Sequence, residues 1–194
     1  MNIPAEFDDI RPYSPEELPQ VFEELLADPS FQAVLTNVIP GIPIEMLAAQ
    51  LHQCKTNLDV QKTFFYSLLH GIIDKHSDGF DMDTSSLDDK NRNYTFISNH
   101  RDIVLDPGFL SVGLIDNNFP TTVEIAIGDN LLIYPWIKKL VRVNKSFIVQ
   151  RALSMRQMLE SSARMSRYIH FAVTEKKENV WICLLYTSPS PRDS

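Results

Sequence analysis

Cysteine is nearly absent: only Cys54 and Cys183 occur in 194 residues. Two thiols so far apart make neither a disulfide framework nor the paired spacing of a zinc site, and they fit a reducing compartment. Long apolar runs are missing too. No stretch reaches the roughly 18 uninterrupted apolar residues that a membrane-crossing helix needs, and Met1 to Asp9 lack the basic-then-apolar layout of a secretory leader. Basic residues are outnumbered, 18 against 25 acidic, for a formal charge of −7. A surface of that sign does not neutralise a nucleic-acid backbone, which argues against nucleic acid as a partner. Histidines at ligand spacing are also lacking: His52, His70 and His76 have no ligand-type neighbours at suitable intervals. The sequence therefore implies no metal and no organic cofactor.

What is present is a core. Apolar residues make up 44% of the chain. Residues 1–13, polar with Pro4 and Pro12, read as an extended lead-in. Ser14-Pro15-Glu16-Glu17 reads as a helix start, with a capping hydroxyl, a proline in the first turn and two glutamates at the positive end of the dipole. Leu18, Val21, Phe22, Leu25 and Leu26 then recur at helical spacing. Asp28-Pro29 opens a second helix with Phe31, Val34, Leu35 and Val38 on one face, and two more helices are expected over 43–53 and 57–75. Residues 1–75 thus form a helical region, more easily a cap on the next domain than a separate module. The connection over 74–92 reads as a solvated loop with a short strand at 80–82.

From residue 94 the pattern alternates. Strands are expected over 94–97, 122–127, 147–150 and 180–182, and helices over 107–115, 130–140 and 153–174. Strand and helix in turn predict an α/β sheet domain over 76–183 with at least some parallel strands. Residues 184–194 carry no domain-like pattern, and their Leu-Leu-Tyr-Thr-Ser-Pro-Ser-Pro-Arg-Asp string resembles vector-derived translation. The tail is read as non-native and the sheet as incomplete.

The stretch Phe96 to Pro107 concentrates the chemistry. An apolar run ends in a loop carrying Asn99, His100, Arg101, Asp102 and Asp106, and the Asp106-Pro107 pair reads as the start of the next helix. Open α/β sheets place their sites at the carboxyl ends of strands. A histidine takes protons near neutral pH, and a carboxylate on its other ring nitrogen fixes the tautomer. Asp106 is the candidate partner of His100, with Asp102 competing; the alternative is a loop histidine beside a helix cap. No serine or cysteine sits in a nucleophile elbow, so such a base would act directly on a substrate hydroxyl, without a covalent enzyme intermediate.

Ser98-Asn99-His100-Arg101 followed by Asp106-Pro107 resembles the first signature block of the glycerolipid acyltransferases, the glycerol-3-phosphate and 1-acylglycerol-3-phosphate acyltransferase superfamily. The family block is His-x-x-x-x-Asp; here five residues, Arg101 to Leu105, intervene. Gly128-Asp129-Asn130-Leu131, Pro135-Trp136-Ile137 and Phe147-Ile148-Val149-Gln150-Arg151 are similar to the second block, and the resemblance spans roughly residues 60–182. It implies an acyltransferase-type α/β domain and an enzyme of phospholipid biosynthesis. Acyl groups would pass from acyl carrier protein or coenzyme A to glycerol 3-phosphate or its 1-acyl derivative, in the cytoplasm, at the inner face of a membrane that the protein touches peripherally. His100 and Asp106 would be catalytic, and Arg151, Arg101 and Asn99 would bind substrate. The family's third block, a Glu-Gly motif, is missing after Ile182, which implies an incomplete acceptor site. Lys138, Lys139, Arg142 and Lys145 form a basic run that would attract a phosphorylated acceptor or lipid, or would simply suit a helix end. A reading from another class is a non-catalytic module that binds an acyl carrier or lipid.

Overall fold

Four short strands make one sheet: β1 (Thr95–Asn99), β2 (Val123–Gly128), β3 (Ser146–Val149) and β4 (Asn179–Leu184), in the order β1-β4-β2-β3. Every neighbouring pair is parallel. The computed structural model describes residues 3–38, 42–87, 89–99, 101–102, 104–151 and 154–184. His100 and the tail after Leu184 lie outside them. The fold is mixed α/β with an N-terminal helical region.

Parallel strands need crossovers, and these are helices: α6 (Leu105–Asp116), α7 (Pro135–Val143) and α8 (Met155–Thr174) follow β1, β2 and β3. Burial on both faces explains the β-branched and aromatic content of the inner strands. On one face Leu114 of α6 and Phe119 pack against Val123, Ile125 and Trp181. On the other, Tyr168 and Ala172 of α8 pack against Phe147 and Val180. Phe7 and Ile10 join that second cluster, so the lead-in is not the extended segment expected. Ala5–Phe7 form a 3₁₀ turn, and the Ile148 amide donates to the Ile10 carbonyl at 2.9 Å. Two apolar residues three apart gave no periodic signal, yet they close one face of the sheet.

Helices α1 (Leu18–Leu26), α2 (Pro29–Val38), α3 (Ile44–Gln53), α4 (Asn57–Val60) and α5 (Tyr66–His76) build the helical region. The α1 start is made by Glu17, which accepts from the Ser14 amide at 2.6 Å, the Ser14 hydroxyl at 2.9 Å and Arg11 at 2.6 Å. Asp28 accepts from the Ser30 and Phe31 amides and so caps α2. Phe31 and Leu35 are buried while Val34 and Val38 are exposed, so the four-residue face expected for α2 is half as wide. A π-helical turn over Gln61–Phe65 joins α4 to α5 and points Gln61 inward. The region shares its core with the sheet domain, since Val143 of α7 is buried among Leu18, Phe22 and Leu25. Among the described residues no helix is long and apolar enough to cross a membrane.

The strand expected at 80–82 is absent. Instead Phe80 lies on Phe109 with ring centroids 5.6 Å apart, and Met82 packs on Gly113, where a β-carbon would come within 2.6 Å of its sulfur. These contacts hold the connection against α6.

Candidate functional site

The registers put the four strand ends level. Asn99 is opposite Leu184, Gly128 is opposite Val149, and the pairing of Ile125 with Trp181 brings Gly128 to the height of Leu184 three residues on. The loops after β1, β2 and β3 therefore leave one edge, where crossovers in open sheets leave room for ligands. Asn99 closes β1 and is exposed; Arg101 and Arg151 are exposed as well.

The loop after β1 is folded by its carboxylates. Asp102 Oδ1 accepts from the amides of Val104 at 2.9 Å and Leu105 at 2.8 Å, so Asp102 caps α6. The helix begins at Leu105, two residues before the expected start at Pro107, and Asp106 lies inside its first turn. Asp106 reaches back: its Oδ2 accepts from the amides of Arg101 at 2.8 Å and Asp102 at 3.0 Å. Asp106 thereby ties the backbone of Arg101 and Asp102 to the first turn of α6.

Arg151 stands two residues past Val149, at the far edge of the sheet. Its amide donates to Asp129 Oδ1 at 3.1 Å. Its side chain crosses the end of β2, because a β-carbon on Gly128 would come within 2.7 Å of Arg151 Nε and 2.5 Å of Asn130 Oδ1. Gly128 has φ −71°, so this glycine supplies space rather than an unusual backbone angle. Neighbouring strands lie about 4.8 Å apart. The Arg151 arm thus leans one strand inward and leaves about 10 Å to β1.

Beside the β1 loop an open cleft of about 490 Å³ is lined by Phe80, Met82, Phe96, Phe109, Leu110 and Trp181, with Asn99, Arg101 and Asp106 also on its wall. The Trp181 indole donates to Ser98 Oγ at 3.0 Å, which fixes one wall. Its size and apolar lining are those of a small-molecule site. The cleft escaped sequence reasoning because its residues come from four separate segments; the aromatic content of 80–110 was the only signal.

The basic run is dispersed. Arg142 is buried, donates to the carbonyls of Arg11 at 2.7 Å and Asp8 at 2.8 Å, and stacks 4.0 Å over Tyr13. Lys139 pairs with Glu24 at 2.9 Å. Lys145, in the left-handed backbone region at φ 56°, is buried at the opposite edge of the sheet. There it donates to Glu178 at 2.8 Å, Thr121 at 2.8 Å and Thr122 at 3.2 Å. Burial pulls the Lys145 ammonium below its usual value against the attraction of Glu178. Beside it Glu124 is bonded by Tyr168 and Lys176, and burial followed by that carboxylate pushes the Tyr168 hydroxyl well up. Only Lys138 of the four is exposed.

His52 lies 3.3 Å from Glu23 and His70 lies 3.4 Å from Asp116. Among the described residues no group of three or more histidine, cysteine or acidic side chains could hold a metal ion. No protein-family model matches the chain, and no curated protein matches its sequence significantly.

Proposed function

We propose that this protein transfers an acyl group from a thioester of acyl carrier protein or coenzyme A to a hydroxyl of glycerol 3-phosphate or its 1-acyl derivative. The observation that carries the reading is the apolar cleft of about 490 Å³ beside the β1 loop. It would take the acyl chain and leave the thioester carbonyl near Asn99 and Arg101. His100 would remove the proton of the attacking hydroxyl, whose oxygen bonds to the carbonyl carbon. The tetrahedral intermediate then expels the thiolate, and the histidinium returns the proton to sulfur. Asp106 holds the loop in shape through the Arg101 and Asp102 amides. Arg151, leaning over Gly128, would hold the acceptor phosphate, a task suited to its planar fork.

The test is release of free thiol from acyl-coenzyme A and from acyl carrier protein with glycerol 3-phosphate as acceptor. His100→Ala should lower the rate at least about a hundredfold, the usual worth of a general base. Transfer by that variant at the wild-type rate would remove His100 from the mechanism. If the wild-type protein binds the acyl carrier yet transfers nothing from either donor, the non-catalytic binding reading replaces this one.

A further inference from the structure

Helix α5 has two apolar faces and spends only one of them on the sheet domain. Leu69 and Ile73 are buried against Val112 of α6. Phe64 in the π-helical turn, then Leu68 and Ile72, follow at the four-residue interval that keeps side chains in one row on another side. That row and Leu47 of α3 line a groove of about 500 Å³ in the helical region, with Val38 and Ile42 at its rim. Val38, expected on the buried face of α2, is exposed because it faces this groove. Gly71 belongs to the same wall, and a β-carbon there would meet nothing within 4 Å, so the middle of the groove is open. From Phe64 to Lys75 the wall runs for about 16 Å at the helical rise of about 1.5 Å per residue. That length holds on the order of a dozen carbon–carbon bonds in zigzag.

We infer that this groove binds one long-chain carboxylate, a fatty acid with its tail along Leu68 and Ile72 and its head on Lys75 and His76. Charge selects that occupant. Lys75 and His76, both exposed, end the α5 wall, and among the described residues no carboxylate lines the groove. This holds in a chain whose acidic residues outnumber its basic ones by 25 to 18. Cations in a last helical turn also offset the negative end of the dipole. Here they stand at the end of an apolar channel as well, and a chain that fills the channel meets them with its head group. Size selects a single chain over a partner helix, since the volume is that of a small-molecule site. Each methylene laid on the row leaves water for an apolar wall, which supplies the affinity. The groove lies on the side of α5 away from α6, and its occupancy does not depend on the acyl-transfer reading.

Titration with cis-parinaric acid, a fluorescent fatty acid, followed by displacement with dodecanoate or dodecanol, tests it. The wild-type protein should bind the probe saturably and release it to dodecanoate more readily than to dodecanol. Gly71→Leu places a side chain in open space and puts a better helix former in a helix interior, so the fold should be kept. It should weaken binding at least about tenfold by filling the groove. Should that variant not fold, Leu68→Asn serves in its place, with the same loss expected. Lys75→Gln with His76→Gln should weaken dodecanoate about threefold, the worth of an exposed ion pair, and leave dodecanol unmoved. Ile97→Trp, at an exposed position in the wall of the apolar cleft, should leave probe binding unchanged. Three results overturn the inference: no saturable binding by the wild type, dodecanol displacing as well as dodecanoate, or a loss from Ile97→Trp that the groove variants do not share. The last would move the fatty acid to the cleft and leave the acyl-transfer reading standing. Protein that binds in the groove but transfers no acyl group retains this site and loses the proposed activity.

Discussion

At the scale of single residues, Gly128 shows how an absent atom positions a present one. Its backbone angles suit any residue, so alanine there adds no torsional strain. The added methyl meets Arg151 Nε and Asn130 Oδ1, both near the ends of flexible side chains that can swing aside. Gly128→Ala should therefore cost less than about 1 kcal/mol of stability while displacing the Arg151 arm. On the acyl-transfer proposal, the expected kinetic result is a roughly tenfold rise in KM for the phosphorylated acceptor, with kcat and KM for the thioester little changed, equivalent to about 1.4 kcal/mol of lost binding. Glu17 gives a stability prediction with a sign. Burial raises its carboxyl, but Arg11 and the two Ser14 donors outweigh burial and bring it from 4.5 to about 2. A lowered folded value stabilises the fold above the unfolded value and loses that contribution as pH falls through the folded one. Glu17→Gln should thus cost about 1 kcal/mol at neutral pH, discounted because the side chain is 37% exposed. In urea titrations the gap between variant and wild type should narrow between pH 4.5 and about 2.

At the scale of elements, the β1 loop divides labour between two carboxylates. Asp102 caps α6, so Asp102→Ala should lower stability by about 1 kcal/mol, read as a shift in denaturant midpoint, with acyl transfer largely kept. Asp106 ties the Arg101 and Asp102 amides to α6, so on the acyl-transfer proposal Asp106→Ala should reduce the transfer rate by an order of magnitude or more even where stability is restored by lower temperature. The reverse pattern would exchange their roles. The helices and strands were legible because their signals are local: Ser14 to Glu17 open α1 and Asp28-Pro29 opens α2, Asp106-Pro107 sits within two residues of the α6 start, and the alternation of strand and helix from residue 94 marks the sheet. The lead-in and the 80–82 segment were misread because Phe7, Ile10, Phe80 and Met82 owe their places to partners more than twenty residues away. The dispersal of the basic run escaped the sequence for a related reason. Charge along a sequence does not distinguish Arg142, whose bonds to two carbonyls hold it inside, from Lys138 at the surface.

At the scale of the whole molecule, the question is whether the helical region and the sheet domain are one folding unit. Their seam is polar as well as apolar. Asn57 Nδ2 donates to the carbonyls of Arg142 at 3.2 Å and Val143 at 2.9 Å, which are left open at the end of α7. Gln61, 2% exposed, donates to the Asn144 carbonyl at 3.2 Å and accepts from the Thr122 hydroxyl. Thr122 in turn receives Lys145, whose ammonium is tied to Glu178 just before β4. A break at Gln61 therefore reaches through Thr122 and Lys145 to two strands. Asn57→Ala should cost about 1–2 kcal/mol and Gln61→Ala about 2–3 kcal/mol, the second more because it strands buried partners. For a chain of this size each kcal/mol lowers Tm by about 2–4 °C. Calorimetry should show a single transition in the wild type and in both variants, moved as a whole. A separate low-temperature transition in Gln61→Ala would mean that the helical region melts alone, and the shared core around Val143 would then be a contact between two domains rather than the centre of one.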